Sequence, residues 1–476
     1  NPARWSDVIG LWPESAREDI DRAVEAAQRG FEAWRQVPAP QRGLTLKKAA
    51  DLLSERKEQL ARAMTREMGK VLEETRGDVQ EAIDTGYYAA TEGRRLFGYT
   101  VPSELPEKWA MSMRRPIGVC AIITPFNFPI AVPSWKIFPA LLCGNSVVWK
   151  PAEDVPYSAN LFVEILLEAG VPAGAVQLVH GRGEVVGKAL VEHPRVLAIS
   201  FTGSTEVGSL IGETGGRMHK RVSLEMGGKN AQIVLPDADL DLAVDGAVWG
   251  AFGTTGQRCT ATSRLILHEA VHNSFIDRLV ERTEALKLGD GLDEGTDVGP
   301  LINPAALEKV EGYMEVARDE GVEIACGGRR RQGDGGGEDE TEGGLFFEPT
   351  VLVGVKAGMR VEQEEIFGPV LSVIKFSDFE EAIRINNGVR YGLSSAVYTR
   401  DVRSAFRALG ELDNGITYIN APTIGAEAHL PFGGVKQTGN GHREGGWQVY
   451  DFYTETKVGY LDYSGRLQRA QIDTYK

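Results

Sequence analysis

The sequence predicts an α/β protein built on a doubly wound parallel sheet followed by a second α/β domain, and three observations carry that prediction. Short apolar runs alternate with helical tracts at intervals of roughly 25–30 residues, the pattern of βαβ units whose sheet is covered on both faces. The alternation begins again near Ala231. The 476 residues, at roughly 150 per domain, leave room for two or three domains and a large buried core.

Taken in order, Ser15-Ala16-Arg17-Glu18 reads as a capping box, and Ile20, Val24, Ala27, Phe31 and Trp34 follow at helical spacing. A helical tract spans about 41–91, and the Pro-flanked, weakly alternating segment 100–115 reads as a projecting hairpin. Strands are predicted at 119–123, 146–149, 176–179 and 196–201, with helices at 158–169, 184–192 and 205–212. In the second alternation the strands are 264–268, 322–325, 370–375 and 415–419, and the helices 273–287, 307–320 and 379–386. The stretch 327–344 is rich in Gly, Asp, Glu and Arg and cannot bury apolar area, so it reads as a solvated loop or insertion.

The 67 acidic and 52 basic side chains leave a net charge of −15. That charge repels phosphate backbones and anionic lipid, which argues against nucleic-acid and membrane partners. Every apolar stretch falls far short of the ~20 residues a spanning helix needs. The chain begins at Asn1 with no charged-then-apolar leader, which leaves a removed targeting segment open. Cys120, Cys143, Cys259 and Cys326 form neither a CxxC pair nor a metal spacing, as expected of reduced thiols in the cytoplasm. The seven histidines show neither HExxH nor a close triad, so no metal is expected.

Five segments could carry chemistry. In Gly253-Thr254-Thr255-Gly256-Gln257-Arg258-Cys259-Thr260 small neighbours leave room for a carbonyl beside a thiol, and the adjacent guanidinium would favour thiolate; an inert buried cysteine is the alternative. Pro125-Phe126-Asn127-Phe128-Pro129 could hold a carboxamide toward an oxyanion or be a plain turn. Glu225 ends an apolar strand before Gly227 and Gly228, where partial burial would make it a general base unless it is a surface carboxylate or a partner of Lys229. Phe201-Thr202-Gly203-Ser204-Thr205-Glu206-Val207-Gly208 would aim helix N-terminal amides at a phosphate. Lys150 and Glu153 of Trp149-Lys150-Pro151-Ala152-Glu153 could clasp ribose hydroxyls or pair with each other.

Together with Glu364-Glu365-Ile366-Phe367-Gly368-Pro369 and Pro431-Phe432-Gly433-Gly434, the identity and order of these segments resemble the aldehyde dehydrogenase superfamily from near Asn1 to beyond Phe452. The resemblance implies a Rossmann-type cofactor domain at 1–99 and 116–227, and a catalytic domain at 228–425. It implies an oligomerisation element at 100–115 and 453–476, and a return segment at 426–452 that closes the active site. It also implies NAD-dependent oxidation of an aldehyde to a carboxylic acid. Cys259 would attack the aldehyde, Asn127 and the Cys259 N–H would hold the oxyanion, and Glu225 would activate water to hydrolyse the thioester. Lys136 matches a family lysine near the catalytic Asn.

Thr124, Phe126, Lys150, Glu153, Gly183, Gly203, Ser204, Val207, Gly208, Met226, Glu365 and Phe367 fall where the family contacts its dinucleotide, and a carboxylate at Glu153 favours NAD over NADP. On the substrate side the matching positions are Arg258, Thr260, Gly425, Ala426 and Phe432. The run Asn420-Ala421-Pro422-Thr423-Ile424-Gly425-Ala426-Glu427 is similar to the antiquitin-like, α-aminoadipic semialdehyde branch, where Gly-Ala amides meet a substrate carboxylate. Arg258 would line that pocket or serve as a structural ion-pair partner, and Phe126 and Phe432 would be tunnel walls or core. A carboxylate-bearing substrate such as α-aminoadipic or 2-oxoglutarate semialdehyde follows, in a homodimer or homotetramer. The competing readings are a broad dehydrogenase of neutral aldehydes, acyl transfer to coenzyme A or phosphate, and a non-catalytic homologue. The spacing of Gly441-His442-Arg443-Glu444 departs from the family's common ending, so Glu444 receives no role.

Overall fold

A computed structural model describes residues 1–331 and 344–474, so 332–343 of the predicted loop lie outside the described residues. The first sheet is parallel throughout, in the order β5 (Val176–Leu178), β4 (Ser146–Lys150), β3 (Val119–Ile123), β6 (Val196–Thr202), β7 (Arg221–Glu225). Every residue of β3 and β4 is buried, which explains why these strands read as continuous apolar runs. Trp149, Phe138 and Phe162 fill one face of the sheet, and Ile20, Val24, Ile199 and Phe201 the other. The chain winds outward from β3 through β4 and β5, then returns to lay β6 on the opposite side of β3. That reversal opens a crevice at the carboxyl ends of β3 and β6, where doubly wound folds take their ligands.

The second sheet has seven strands: β10 (Glu323–Cys326), β11 (Thr350–Val355), β12 (Val370–Phe376), β9 (Thr262–His268), β8 (Asn230–Val234), β14 (Ser394–Tyr398) and β15 (Ile416–Ile419). Only the edge strand β10 is antiparallel. A two-residue pair joins β13 (Tyr391–Gly392) to β16 (Val435–Lys436). The predicted hairpin at 100–115 is present as β1 (Thr100–Pro102) and β2 (Lys108–Pro116), and β17 (Thr454–Asp462) pairs along the whole of β2. Among the described residues no helix is long and apolar enough to cross a membrane.

Several predicted elements are corrected. The opening helix α1 (Arg17–Trp34) is capped one residue later than expected: the Asp19 carboxylate accepts from the Ala16 N–H at 2.7 Å. Ser15 is drawn away because its own N–H donates to the His180 carbonyl at 3.0 Å. The tract at 41–91 is three helices, α2 (Ala39–Glu55), α3 (Lys57–Met68) and α4 (Leu72–Glu92). Gly69, at φ +93°, ends α3 in the left-handed conformation that stops helices. The helices Leu240–Phe252 and Val402–Glu411 and the strands β11 and β14 were not anticipated. Leu240–Phe252 carries apolar or small residues nearly all round, which erases the periodic signal.

Candidate active site

The crevice of the first sheet meets the second sheet in one cavity of about 450 Å³. Its wall includes Cys259, Glu225 and Asn127, with Phe126, Gly203, Ser204, Met226, Glu365 and Phe367 on one side. Arg258, Thr260, Gly425, Ala426 and Phe432 complete it. All five candidate substrate residues and the three proposed reacting groups are therefore brought together.

Cys259 follows a tight turn, Gly253–Gly256, and precedes β9. Thr254 and Thr255 sit at φ +53° and +57°, in the left-handed region, and Gly256 at +68°. Each threonine costs roughly 1–2 kcal/mol there, so the turn is held by specific bonds. Thr254 N–H donates to the Glu74 carboxylate at 2.7 Å, and Thr255 Oγ1 donates to the Gly299 carbonyl at 2.9 Å. Gly256 is required for space as well: a Cβ there would lie 2.1 Å from the Gly368 carbonyl oxygen. The Cys259 carbonyl accepts from Asn230 Nδ2 at 2.7 Å, which ties the nucleophile segment to β8.

Arg258 corrects the expectation that a neighbouring cation favours thiolate. Its Nη2 pairs with Glu74 at 2.7 Å, its Nε donates to Thr254 Oγ1 at 2.7 Å, and the guanidinium lies 5.0 Å from the Trp249 ring centre. The charge is thus spent on a carboxylate. Burial, reinforced by the Glu365 and Glu225 carboxylates, pushes the Cys259 thiol up to about 12.

Asn127 is buried, and its Nδ2 donates to the Gln257 carbonyl at 2.9 Å, two residues from the thiol. Glu225 ends β7, is buried, and leaves Oε1 without a hydrogen-bond partner among the described residues. Burial raises its pKa well above the usual carboxylate range and the Glu444 carboxylate adds to the effect, while Lys136 and Arg443 oppose it. Glu225 does not pair with Lys229. That lysine is buried with Nζ unpartnered, and desolvation brings it down to about 7.

Lys136 is fully buried and is absent from the cavity wall; its ammonium pairs with Glu444 and donates to Ser200 Oγ at 3.1 Å. Glu444, which received no role from the sequence, is buried and lines the cavity. Its irregular spacing is absorbed where 432 and 444 pair across the return segment: the Phe432 N–H donates to the Glu444 carbonyl and the reverse bond completes the bridge at 2.7 Å. Glu81 of α4 also lines the cavity, with no side-chain hydrogen bond among the described residues, and burial, aided by the Asp78 carboxylate, raises it to about 8. Nothing in the chain around Glu81 marked it.

The remaining cofactor candidates extend along the ends of β3, β4 and β6. Ser204 caps the helix α8 (Thr205–Arg217) by accepting from the Val207 N–H at 3.3 Å. Gly208 packs against Met226, and Thr124 Oγ1 accepts from the Trp149 indole at 2.9 Å. Glu153 Oε1 accepts from Lys150 Nζ at 3.1 Å and from the Gly183 N–H at 2.7 Å, so the predicted pairing of Lys150 with Glu153 is present. These two lie beside a second, outer hollow that Glu153 lines with Pro151 and His180. Glu365 accepts from the Gly228 N–H at 2.9 Å, and Phe367, at φ +59°, meets Phe126 edge-on at 5.9 Å. A bulky residue in that backbone region is an outlier held by its surroundings. Phe432 packs on Trp135 at 4.8 Å and still reaches the wall, so it is both core and tunnel surface.

Comparison with known proteins places this geometry in context. The family model described as "Aldehyde dehydrogenase family" matches residues 1–458. The chain is 39% identical over 461 residues to the α-ketoglutaric semialdehyde dehydrogenase of Bacillus subtilis, covering 97% of this chain and 93% of that one. It is 38% identical over 477 residues to aldehyde dehydrogenase family 7 member B4 of Arabidopsis thaliana, covering 99% and 91%. The crystal structure of betaine aldehyde dehydrogenase from Staphylococcus aureus in complex with NAD+ superposes with a TM-score of 0.94 at 37% identity, covering 98% of this chain and 91% of that one.

Proposed function

The chain belongs to the aldehyde dehydrogenase family, and on that premise we propose that it oxidises a carboxylate-bearing semialdehyde to the acid with NAD, using Cys259 as nucleophile. The observation that carries the reading is the convergence of the Cys259 thiol, the Asn127 carboxamide and the Glu225 carboxyl, whose Oε1 has no partner among the described residues, on one cavity wall. Glu225 takes the thiol proton, directly or through water, and Cys259 Sγ attacks the aldehyde carbon. The Asn127 amide and the Cys259 N–H stabilise the oxyanion. Hydride acceptance is the chemistry that a bound nicotinamide supplies, and it leaves an acyl group on Cys259 as a thioester. Glu225 then removes a proton from the attacking water, the C–S bond breaks and the acid departs. Lys136 and Glu444 continue the buried ionisable chain behind Glu225 and carry its proton onward.

The residues fit the cofactor. Gly203 and Gly227 line the cavity, and neither admits a larger residue: a Cβ at Gly203 would lie 2.5 Å from the Phe201 ring and one at Gly227 2.3 Å from the Glu365 carboxylate. Glu365 would hold the ribose on the nicotinamide side. Glu153 keeps Oε2 for adenosine-ribose hydroxyls, and its charge repels a 2′-phosphate, which favours NAD over NADP. Residues 1–99 with 116–227 form the cofactor half and 228–425 the catalytic half, with 426–452 closing the site. The β1-β2-β17 sheet, 100–115 with 453–476, is the oligomerisation element of a homodimer or homotetramer.

For the substrate, the Gly425 and Ala426 N–H groups find no acceptor among the described residues, and both residues line the cavity. Two free amides on that wall suit a carboxylate. Within that class, Glu81 on the same wall favours an α-amino over an α-oxo group, because a half-buried carboxyl with no side-chain hydrogen bond among the described residues is satisfied by an ammonium. This is the antiquitin-like reading; the α-oxo substrate is the second. NADH formation with α-aminoadipic, 2-oxoglutarate and succinic semialdehydes against hexanal tests it. We expect kcat/KM about a hundredfold higher for an acidic aldehyde, roughly 2.7 kcal/mol. A flat profile rejects the carboxylate site, and Glu81→Gln lowering only the α-amino substrate separates the two readings.

A further inference from the structure

The Gly253–Gly256 turn ahead of Cys259 holds a conformation that threonine resists, and the group that holds it comes from the other half of the molecule. Glu74 and Asp78 lie one turn apart on one face of α4, and both are buried. Glu74 Oε1 accepts from the Thr254 N–H and from Arg258 Nη2, each at 2.7 Å. Its side chain is 2% exposed. Asp78 Oδ1 accepts from the Ala131 N–H at 2.7 Å, fixing the start of the helix α5 (Ala131–Leu142) that follows the Asn127 segment. Asp78 Oδ2 accepts from Lys70, whose ammonium lies 3.6 Å from the centre of the Phe128 ring. One helix thus grips both the nucleophile turn and the oxyanion segment.

We propose that Glu74 is a positioning residue: through the Thr254 N–H and Arg258 it clamps the left-handed turn and sets where the Cys259 sulfur stands relative to the Asn127 amide. Asp78 is the fixed post on the same helix. The inference rests on the reading of Cys259 as nucleophile. Without the clamp, Thr254 relaxes toward right-handed or extended backbone, and the thiol moves away from its attack position. Glycine at 254 takes the left-handed conformation without penalty, so it keeps the turn even when the clamp is gone. A residue that merely supported the fold would show no such rescue.

The test measures the pre-steady-state burst of NADH, the KM for NAD and the thermal melt in Glu74→Ala, Glu74→Gln and Glu74→Ala/Thr254→Gly. A displacement near 1 Å costs about a hundredfold in rate, so Glu74→Ala should slow the burst about a hundredfold with the KM for NAD within twofold. Adding Thr254→Gly should restore about tenfold. Glu74→Gln, which keeps an acceptor for the Thr254 N–H and the shape of the site, should slow the burst about tenfold; it serves if the alanine variant does not fold. A burst within threefold of the parent in either single variant, a parallel loss of NAD binding, or no recovery with Thr254→Gly overturns the clamp. Cys259→Ala run alongside keeps the premises apart: a burst surviving there removes the nucleophile, and a burst surviving only in the Glu74 variants removes the clamp.

Discussion

The two proposed reacting groups reach the same cavity by opposite structural means. Glu225 is the buried last residue of β7, the edge strand of the parallel sheet, where ladder hydrogen bonds to β6 fix its backbone. Cys259 sits after a turn of three left-handed residues that depends on side chains from α4 and on the Gly299 carbonyl. Glu225 is placed by secondary structure and Cys259 by tertiary bonds, and burial raises the pKa of both. The difference teaches that burial raises both groups above their ordinary values while two different kinds of structure fix where they stand.

The sharpest way to break the comparison is Cys259→Ala. NADH formation should fall by roughly 10⁴-fold or more with NAD binding retained, as measured by titration and steady-state rates; turnover near the parent rate would leave the strained turn without a function. Glu225→Gln comes next. The acyl-enzyme should still form, giving a burst, and its release should slow by about 10²–10³-fold. The pH dependence sharpens this. Water activation needs the carboxylate, and its pKa lies well above the ordinary value. The rate of acyl release should therefore fall as pH drops through that raised value, a limb lost in Glu225→Gln. If the limb persists there, another group is the base. The smallest effect lies at the outer end of the cofactor half: Glu153→Gln should narrow the preference for NAD over NADP by about tenfold in kcat/KM, roughly 1.4 kcal/mol. An unchanged ratio would mean the carboxylate does not face the ribose.

What could be read from the sequence follows the same division. The strands of the first sheet were legible because burial on both faces forces continuous apolar runs at 119–123 and 146–149, and Glu225 and Ser204 were placed by the strand ends they occupy. The nucleophile loop was legible as a motif but not as a conformation: only Gly256 hints at a left-handed backbone, and threonine at 254 and 255 argues against it. Arg258 looked like an activator of its neighbour because sequence shows adjacency, whereas its partner Glu74 lies on a distant helix. Glu81 and Glu444 were missed for the same reason. One sits on an ordinary-looking helical face, and the other follows a return segment whose spacing has meaning only once 432 and 444 pair.

The long ribbon of β2 and β17 bears on how such a chain is made. Residues 108–116 find their partner only at 454–462, so during synthesis the nine-residue β2 emerges with one edge unpaired while more than three hundred further residues are added. Domains form vectorially, and an open strand edge is a template for the wrong neighbour. β1 covers only three positions of the other edge, which leaves the nascent chain dependent on whatever shields β2 until the last strand arrives. The ribbon is therefore a timer in biogenesis: it closes last, and a copy that stalls before 454 would present an adhesive surface.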